Sequence, residues 1–470
     1  PSVAAHGDGF VVTWTDHSGS SGSRGGSGYD IFGKIFTTTD ANNNPVVDGM
    51  PVEVENTSIA NSNEFLINTA SGNQSQSSVT ELADGGFVVT WYSSSGTNIY
   101  AQRFDASGAE LGNQFSINNL TSYTQDYPSV AALGDGFVVT WQTYGQDGDH
   151  QSYANIHARV FTTTDGSGDP VAGGTPVAEG NEFVVNQDIY GVLSANAYGQ
   201  QYHPSVTTLA DGNFVVTWYD TDGSNNVDGG SGHDVFAQIF KPDGSKVYQL
   251  QSDSSVPGFA GNKPTDSSDT GVDSTAVATN VTVNIGGSDT TVDIHAYSYT
   301  HNSVAEKVLV AFDAGNGSFA TALRGEFRVN THTSGQQDYE TGDDQIAALK
   351  DGGFIVTWTS SSQDGSSDGV YAQRFDANGN PASLTAYTGT DGDDTETLAS
   401  ASNLLIDLGD GTDSLTLGAG DDSIIVDPDP NTVLTLNQVA SDGFAVNNYM
   451  RSADVTDFVA QHGAGFYAAE

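Results

Sequence analysis

The sequence PSVAALGDGFVVTW occupies residues 128–141 and carries the clearest structural signal in the chain. Apolar and polar residues alternate on both sides of an Asp-Gly turn, which is the pattern of two antiparallel strands joined in a hairpin. Close copies of this stretch, each ending in tryptophan, occupy residues 1–14, 77–91, 204–218 and 345–358. The recurrence predicts a repeat protein made of β-hairpins.

Two further short strands are predicted after most hairpins. The third strands fall at residues 30–32, 98–104, 155–157, 234–236 and 369–375. The fourth strands fall at residues 63–68, 113–118, 181–186 and 325–330. Four antiparallel strands per repeat are typical of one blade of a β-propeller.

A sixth repeat is predicted between Trp218 and Trp358, because residues 293–299 and 307–313 have the pattern of further strands. We therefore expect an all-β fold, with a β-propeller of about six four-stranded blades over residues 1–386. A propeller of seven or eight blades is the alternative, since the sequence starts inside a repeat. The recurring tryptophans are expected to pack between neighbouring blades, with a stacking platform for sugar as the alternative.

The charge is strongly negative, with 13 Lys and Arg against 59 Asp and Glu and a net charge of −46. Such a surface repels nucleic acid and anionic lipid and attracts divalent cations. The absence of cysteine excludes disulfides and thiolate zinc sites. No apolar run approaches the roughly 20 residues of a spanning helix, so membrane insertion is not expected.

The fourth repeat contains the best candidate calcium loop. Oxygen-bearing side chains stand at every second position, which could direct five of them toward one Ca²⁺ ion. The spacing resembles the calcium loops of integrin-type propellers, and a solvated acidic loop is the alternative. The residues are Asp220, Asp222, Ser224, Asn226 and Asp228, with Asp364 and Asp368 as further candidates in the last repeat.

Glycine-aspartate repeats begin at residue 389. The nonapeptides LGDGTDSLT (408–416) and LGAGDDSII (417–425) are consecutive and in register. They resemble the repeats-in-toxin (RTX) family, whose nonapeptides form a calcium-binding β-roll. The resemblance implies a β-roll-like segment at 387–430, secretion to the extracellular space or the bacterial cell surface, and a cap or secretion signal at 431–470. The implied calcium ligands are Asp394, Asp410, Asp413, Asp421 and Asp422.

No catalytic motif is present, and the ten histidines are scattered and expected mostly in loops or on the surface. We expect a calcium-stabilised surface, adhesion or matrix-forming protein that binds cell-surface glycan or other copies of itself. The alternatives are a lectin-like propeller and, less favoured, a glycan-active hydrolase or lyase. The enzyme stays an alternative because spacing in the sequence does not show which carboxylates meet in a catalytic pair. Against a lectin, Tyr144, Tyr153 and Tyr219 do not share one repeat position.

Overall fold

The structure is a computed structural model in which every element of the described residues is a β-strand. The chain divides into two compact units, residues 1–348 with 354–373 and residues 349–353 with 374–470. The described residues are 1–17, 28–39, 52–53, 64–69, 72–145, 154–165, 167, 170–171, 173–186, 200–221, 232–250, 259–260, 263–264, 271–285, 288–301, 304–313, 318–331, 335–338, 345–361, 368–381, 385–388, 395–398, 404–407, 412–417, 424–426 and 433–438.

The first three propeller blades follow one antiparallel plan, in which the first three strands pair in chain order and each later strand pairs with the third. Blade I contains β1 (Ser2–His6), β2 (Gly9–His17), β3 (Tyr29–Thr37), β4 (Val52–Glu53) and β5 (Phe65–Leu66). Blade II contains β6 (Gln74–Glu81), β7 (Phe87–Ser93), β8 (Asn98–Phe104) and β9 (Glu110–Ser116). Blade III contains β10 (Gln125–Leu133), β11 (Gly136–Tyr144), β12 (Ala154–Thr162), β13 (Val177–Ala178) and β14 (Phe183–Val184).

Blade IV is interrupted by an inserted sheet. It starts with β15 (Gln200–Thr208), β16 (Phe214–Thr221) and β17 (His233–Phe240). A five-stranded sheet and a small hairpin follow, made of β18 (Gln249–Leu250), β19 (Phe259–Ala260), β20 (Lys263–Pro264), β21 (Gly271–Ile285), β22 (Ser288–His301), β23 (Val304–Asp313) and β24 (Ser318–Arg324). The chain then returns as β25 (Phe327–Arg328), which pairs with β17 and completes blade IV.

The all-β propeller prediction is confirmed, but the predicted sixth repeat has a different position. Its strands, β22 and β23, are antiparallel neighbours in the inserted sheet rather than a blade between IV and V. Blade V consists of β26 (Gln337–Asp338), β27 (Ile346–Ala348), β28 (Phe354–Ser361) and β29 (Asp368–Phe375). The backbone nitrogen of Gln345 donates a hydrogen bond to Ser205 Oγ, 3.2 Å away, so blade V directly follows blade IV in space.

The same serine contact joins the other blades. The backbone nitrogen of Val130 in blade III donates to Ser78 Oγ in blade II at 3.2 Å, and Val206 in blade IV donates likewise to Ser129 at 3.2 Å. These serines belong to the first strand of each blade. Successive first strands therefore lie side by side, from blade II to blade IV.

Tryptophan packing between blades is observed as expected. Trp91 and Trp141 are fully buried, and each indole Nε1 donates to a glutamine at the start of the first strand of its own blade. The distances are 2.9 Å to Gln74 and 2.8 Å to Gln125. A buried indole without a partner would be destabilising, so the recurring glutamine explains how the blades hold it.

The C-terminal strands form two parallel sheets. One sheet contains β30 (Thr385–Thr388), β32 (Leu404–Asp407) and β34 (Ile424–Val426), and the other contains β31 (Thr395–Leu398), β33 (Thr412–Leu417) and β35 (Val433–Gln438). Successive strands alternate between the two sheets, as in the coils of a β-roll. The described part of the chain offers no helix with the length and apolarity that a membrane crossing requires.

Candidate functional site

The first strands of blades II, III and IV contain a bulge at the same repeat position. Each bulge places a non-glycine residue in the left-handed region, with φ of 58° at Gln76, 51° at Tyr127 and 49° at His203. This conformation costs roughly 1 kcal/mol or more per residue. Strain that recurs at one place, where bulges redirect side chains, marks a candidate functional site.

Glutamine side chains fix two of these bulges across blade boundaries. The backbone nitrogen of Tyr127 donates to Gln76 Oε1 of the preceding blade at 2.9 Å, and that of His203 donates to Gln142 Oε1 at 3.0 Å. The Nε2 of Gln142 also donates to the Tyr144 hydroxyl at 3.1 Å. The bulge geometry is therefore held by the neighbouring blade.

Aromatic rings from blades III and IV meet at the bulges. The centroids of Tyr127 and His203 are 4.1 Å apart, and the ring of His203 lies edge-on to Tyr219 at 5.3 Å. Tyr219 in turn lies 5.5 Å from Tyr202 and stacks on His233 at 5.3 Å. We call the six half-buried rings of Tyr127, Tyr144, Tyr202, His203, Tyr219 and His233 the tyrosine–histidine cluster.

Two carboxylates flank the cluster. Asp338 of blade V accepts a hydrogen bond from His233 Nδ1 of blade IV at 2.9 Å when that nitrogen is protonated. Asp126 of blade III precedes the bulged Tyr127, and Gln142 is its hydrogen-bond partner. The Oδ1 atom of Asp126 is buried and has no hydrogen-bond partner among the described residues.

Burial alters the acidity of these groups. It raises the pKa of Asp126 to about 6, an effect that the hydrogen bond from Gln142 reduces. Burial, together with the negative charge of Asp338, raises the pKa of Tyr219 to about 12. The pKa of Tyr144 is raised too, by burial and then by Asp126. The tyrosines therefore keep their hydroxyl protons near neutral pH and can donate hydrogen bonds.

Sequence reasoning missed this cluster. We expected most of the histidines in loops or on the surface, but His203 and His233 lie in strands, and His6, His157 and His295 are buried. Tyr144 and Tyr219 occupy different repeat positions and still belong to one cluster, because neighbouring blades bring different positions together. The available signal was the pair of segments QDYPSV (125–130) and QYHPSV (201–206), which place aromatic residues at the bulge.

The predicted calcium ligands are mostly outside the described residues. This applies to Asp222, Ser224, Asn226, Asp228, Asp364, Asp394, Asp410, Asp421 and Asp422. Asp368 lies in β29 and Asp413 in β33, and at these two positions only the backbone is described.

Asp220 lies in β16, and its Oδ2 accepts a hydrogen bond from Gln201 Nε2 at 2.9 Å. It was expected in a loop, but strand pairing extends through it to Thr221. Within the described part of the chain, no group of three or more His, Asp or Glu side chains is arranged to hold a metal ion. Calcium binding therefore stays a prediction.

No protein-family model and no curated protein matches this sequence. Among solved structures, the α-L-arabinofuranosidase of Fusarium graminearum aligns with 80% of this chain and 92% of its own, at 11% identity and a TM-score of 0.32. The α-L-arabinanase of Cellvibrio cellulosa aligns with 52% of this chain and 74% of its own, at 11% identity and a TM-score of 0.30. A Dyadobacter fermentans protein of unknown function aligns with 79% and 92%, at 11% identity and 0.30. TM-scores this low carry no argument about function, which rests on the residues of this chain.

Proposed function

We propose that this chain is a carbohydrate-binding β-propeller and that the tyrosine–histidine cluster contacts a neutral saccharide. The observation that carries the proposal is that six ring pairs, with centroids 4.1 to 6.4 Å apart, meet at recurring strained bulges. Half-buried rings offer apolar faces to the C–H faces of a sugar. Small-molecule sites combine such aromatic surface with a few fixed polar groups.

The polar groups at the cluster suit sugar hydroxyls. The phenols donate, and the carboxylate of Asp338 accepts. The net charge of −46 opposes the approach of anionic glycans, so we favour uncharged saccharides. This function would serve the adhesive role expected from the sequence, and calcium binding and an extracellular location belong to the same proposal.

Binding to an array of neutral oligosaccharides, followed by calorimetry with the best ligand, tests this function. We expect Tyr219→Ala to weaken binding roughly tenfold or more, because the central ring of the cluster is lost. Tyr29→Ala in blade I is the matched control, since this exposed tyrosine lies outside the cluster, and it should bind like the wild type. Absence of binding to every neutral glycan, or equal affinity of all three proteins, would contradict the proposal.

Hydrolysis of the bound glycan is a second candidate, favoured by the raised pKa of Asp126. A carboxyl group with a pKa of about 6 is partly protonated near neutral pH and could protonate a glycosidic oxygen. Hydrolysis would also require a second carboxylate, and Asp338 is the other one at the cluster. Release of reducing sugar that Asp126→Asn abolishes would establish hydrolysis. Binding without release of reducing sugar would support carbohydrate binding and contradict hydrolysis.

A further inference from the structure

The carboxylate of Asp126 lies at the tyrosine–histidine cluster without a positive partner. Its Oδ1 atom is buried and has no hydrogen-bond partner among the described residues. The partner of the side chain, Gln142, is an uncharged amide. Within the described part of the chain, no Lys, Arg or His side chain forms an ion pair with Asp126. Removing a carboxylate from water costs free energy, which a bound positive charge would offset.

The basic residues of the surrounding blades are held by other groups. Between residues 74 and 186, which contain blades II and III, the sequence has two arginines and no lysine. Arg103 forms an ion pair with Asp84, and Arg159 donates to the backbone oxygen of Ile117 at 2.9 Å. A positive charge beside Asp126 would therefore have to come from a ligand.

Tyrosines of three blades surround this carboxylate. In four of them burial raises the pKa of the phenol most, and the negative charge of Asp126 raises it further. They are Tyr92 of blade II, Tyr127 and Tyr144 of blade III, and Tyr202 of blade IV. All four rings and Asp126 itself are half-buried, so a ligand at the cluster can approach the carboxylate and the rings together.

The rings of the cluster are inclined to one another. Five of its six ring pairs have planes 36 to 89° apart, and the most inclined is the pair of His203 and Tyr219. Inclined rings can offer several π faces to one small ligand, whereas a parallel stack offers only its two ends. The negative faces of aromatic rings attract a cation.

The chemistry of these groups selects the kind of cation. A calcium ion needs six to eight oxygen ligands, and no group of three His, Asp or Glu side chains within the described residues is arranged to hold a metal. A primary ammonium has three N–H donors that would need acceptors among the rings. A quaternary ammonium has none, and its methyl groups pack on aromatic faces while its charge attracts a carboxylate.

We propose that the tyrosine–histidine cluster, with Asp126 as the countercharge, binds a quaternary ammonium group such as that of choline. The net charge of −46 favours the approach of any cation to this protein. The proposal goes beyond carbohydrate binding and does not depend on it, because it requires only the ring faces and the carboxylate.

Calorimetry with choline and with 3,3-dimethyl-1-butanol tests the proposal. The second compound has the shape of choline but a carbon atom in place of the charged nitrogen. Sodium chloride keeps the ionic strength constant, and no saccharide is present. We expect choline to bind roughly tenfold or more tightly than the neutral compound, because only choline interacts with the carboxylate and the π faces through its charge.

Three variants and one control separate the two contributions. Asp126→Asn should remove most of the preference for choline over the neutral compound. Tyr202→Leu should weaken choline binding because the π face is lost, and Tyr202→Phe, which keeps that face, should retain it. Glu110→Gln is the matched control, since it removes an exposed carboxylate of blade II outside the cluster, and it should bind choline like the wild type. Circular dichroism checks that each variant is folded.

Three outcomes would overturn the proposal. Equal affinity for choline and the neutral compound, or no binding of either, would show that the cluster does not recognise a cation. Unchanged choline binding by a folded Asp126→Asn would exclude the carboxylate as the countercharge. An equal loss in Glu110→Gln would mean that the overall negative charge attracts choline without a site. None of these results bears on binding to neutral glycans, which is measured separately.

Discussion

The ring of His157 stacks on Trp141, with centroids 6.2 Å apart and planes 28° from parallel. The other blades place Phe32, Tyr100, Phe236 or Tyr371 against their tryptophan at this position. His157 is 2% exposed, and neither ring nitrogen has a hydrogen-bond partner among the described residues. Burial lowers its pKa from 6.5 to about 4.

This histidine makes the protein sensitive to mild acid. Its pKa is lower in the folded state, so the unfolded chain binds more protons between pH 6.5 and 4. The free energy of unfolding should fall as the pH falls through this window, by about 3 kcal/mol. His157→Phe, which copies the residue of blades I and IV, should remove this loss. Urea unfolding at several pH values measures it, and an unchanged pH profile in the variant would contradict the prediction.

Asp126 should have the opposite pH dependence. Its pKa is raised from 3.8 to about 6, so the folded state holds the proton more tightly and stability is lost as the pH rises through 6. Asp126→Asn keeps the shape without the charge and should stabilise the protein above pH 7 by about 3 kcal/mol. The gain should vanish below pH 4 in the same urea experiment. Equal stabilisation at both pH values would mean that the charge is not the cause.

Asn118 ties the end of blade II to its third strand. Its Oδ1 accepts a hydrogen bond from the Ile99 nitrogen at 2.9 Å, and its Nδ2 donates to Asn98 Oδ1 at 3.0 Å. Asn118→Ala leaves buried groups unpaired and should cost about 2–4 kcal/mol. Asn118→Asp keeps only the acceptor, and its carboxylate should repel the Asn98 oxygen. Its free energy of unfolding should therefore fall by a different amount. Equilibrium unfolding ranks the variants, and an alanine variant of wild-type stability would contradict this role.

Two glycines of the blade III hairpin should respond differently to alanine. A Cβ on Gly136 would lie 1.8 Å from the backbone oxygen of Phe161, so the strands would have to separate. At Gly134 a Cβ meets nothing within 4 Å, and the penalty comes only from φ of 58°. Gly134→Ala should cost about 1–2 kcal/mol, and Gly136→Ala several times more. Thermal unfolding should give a far lower Tm for Gly136→Ala, and the reverse order would refute the explanation.

Calcium removal tests the family resemblance of the C-terminal segment. If calcium occupies the glycine-aspartate turns, a chelator should lower the melting temperature or abolish a separate C-terminal transition, because bound ions stabilise only the folded state. Magnesium is the control ion and should not restore the transition, since it demands a tighter octahedral site. A melting curve indifferent to chelator would remove calcium from the proposal.

The strands of the blades could be predicted from the sequence, because the signals that specify them come from residues close together in the chain. An Asp-Gly hairpin and alternating valines specify strands through backbone geometry and side-chain direction, both of which depend on nearby residues. Residues 98–104 were predicted as a third strand and form β8 with those bounds. The position of the sixth repeat could not be predicted from the sequence. The short strand β25 completes blade IV only after an insertion of more than 80 residues.

The sequence by itself determined the all-β class, the repeat, the tryptophan packing and the acidic surface. The tertiary structure alone decided the candidate site. Tyr127 and His203 are 76 residues apart in the chain and 4.1 Å apart as rings. Burial and contact between blades depend on which strands become neighbours in space, and residues distant in the chain determine that.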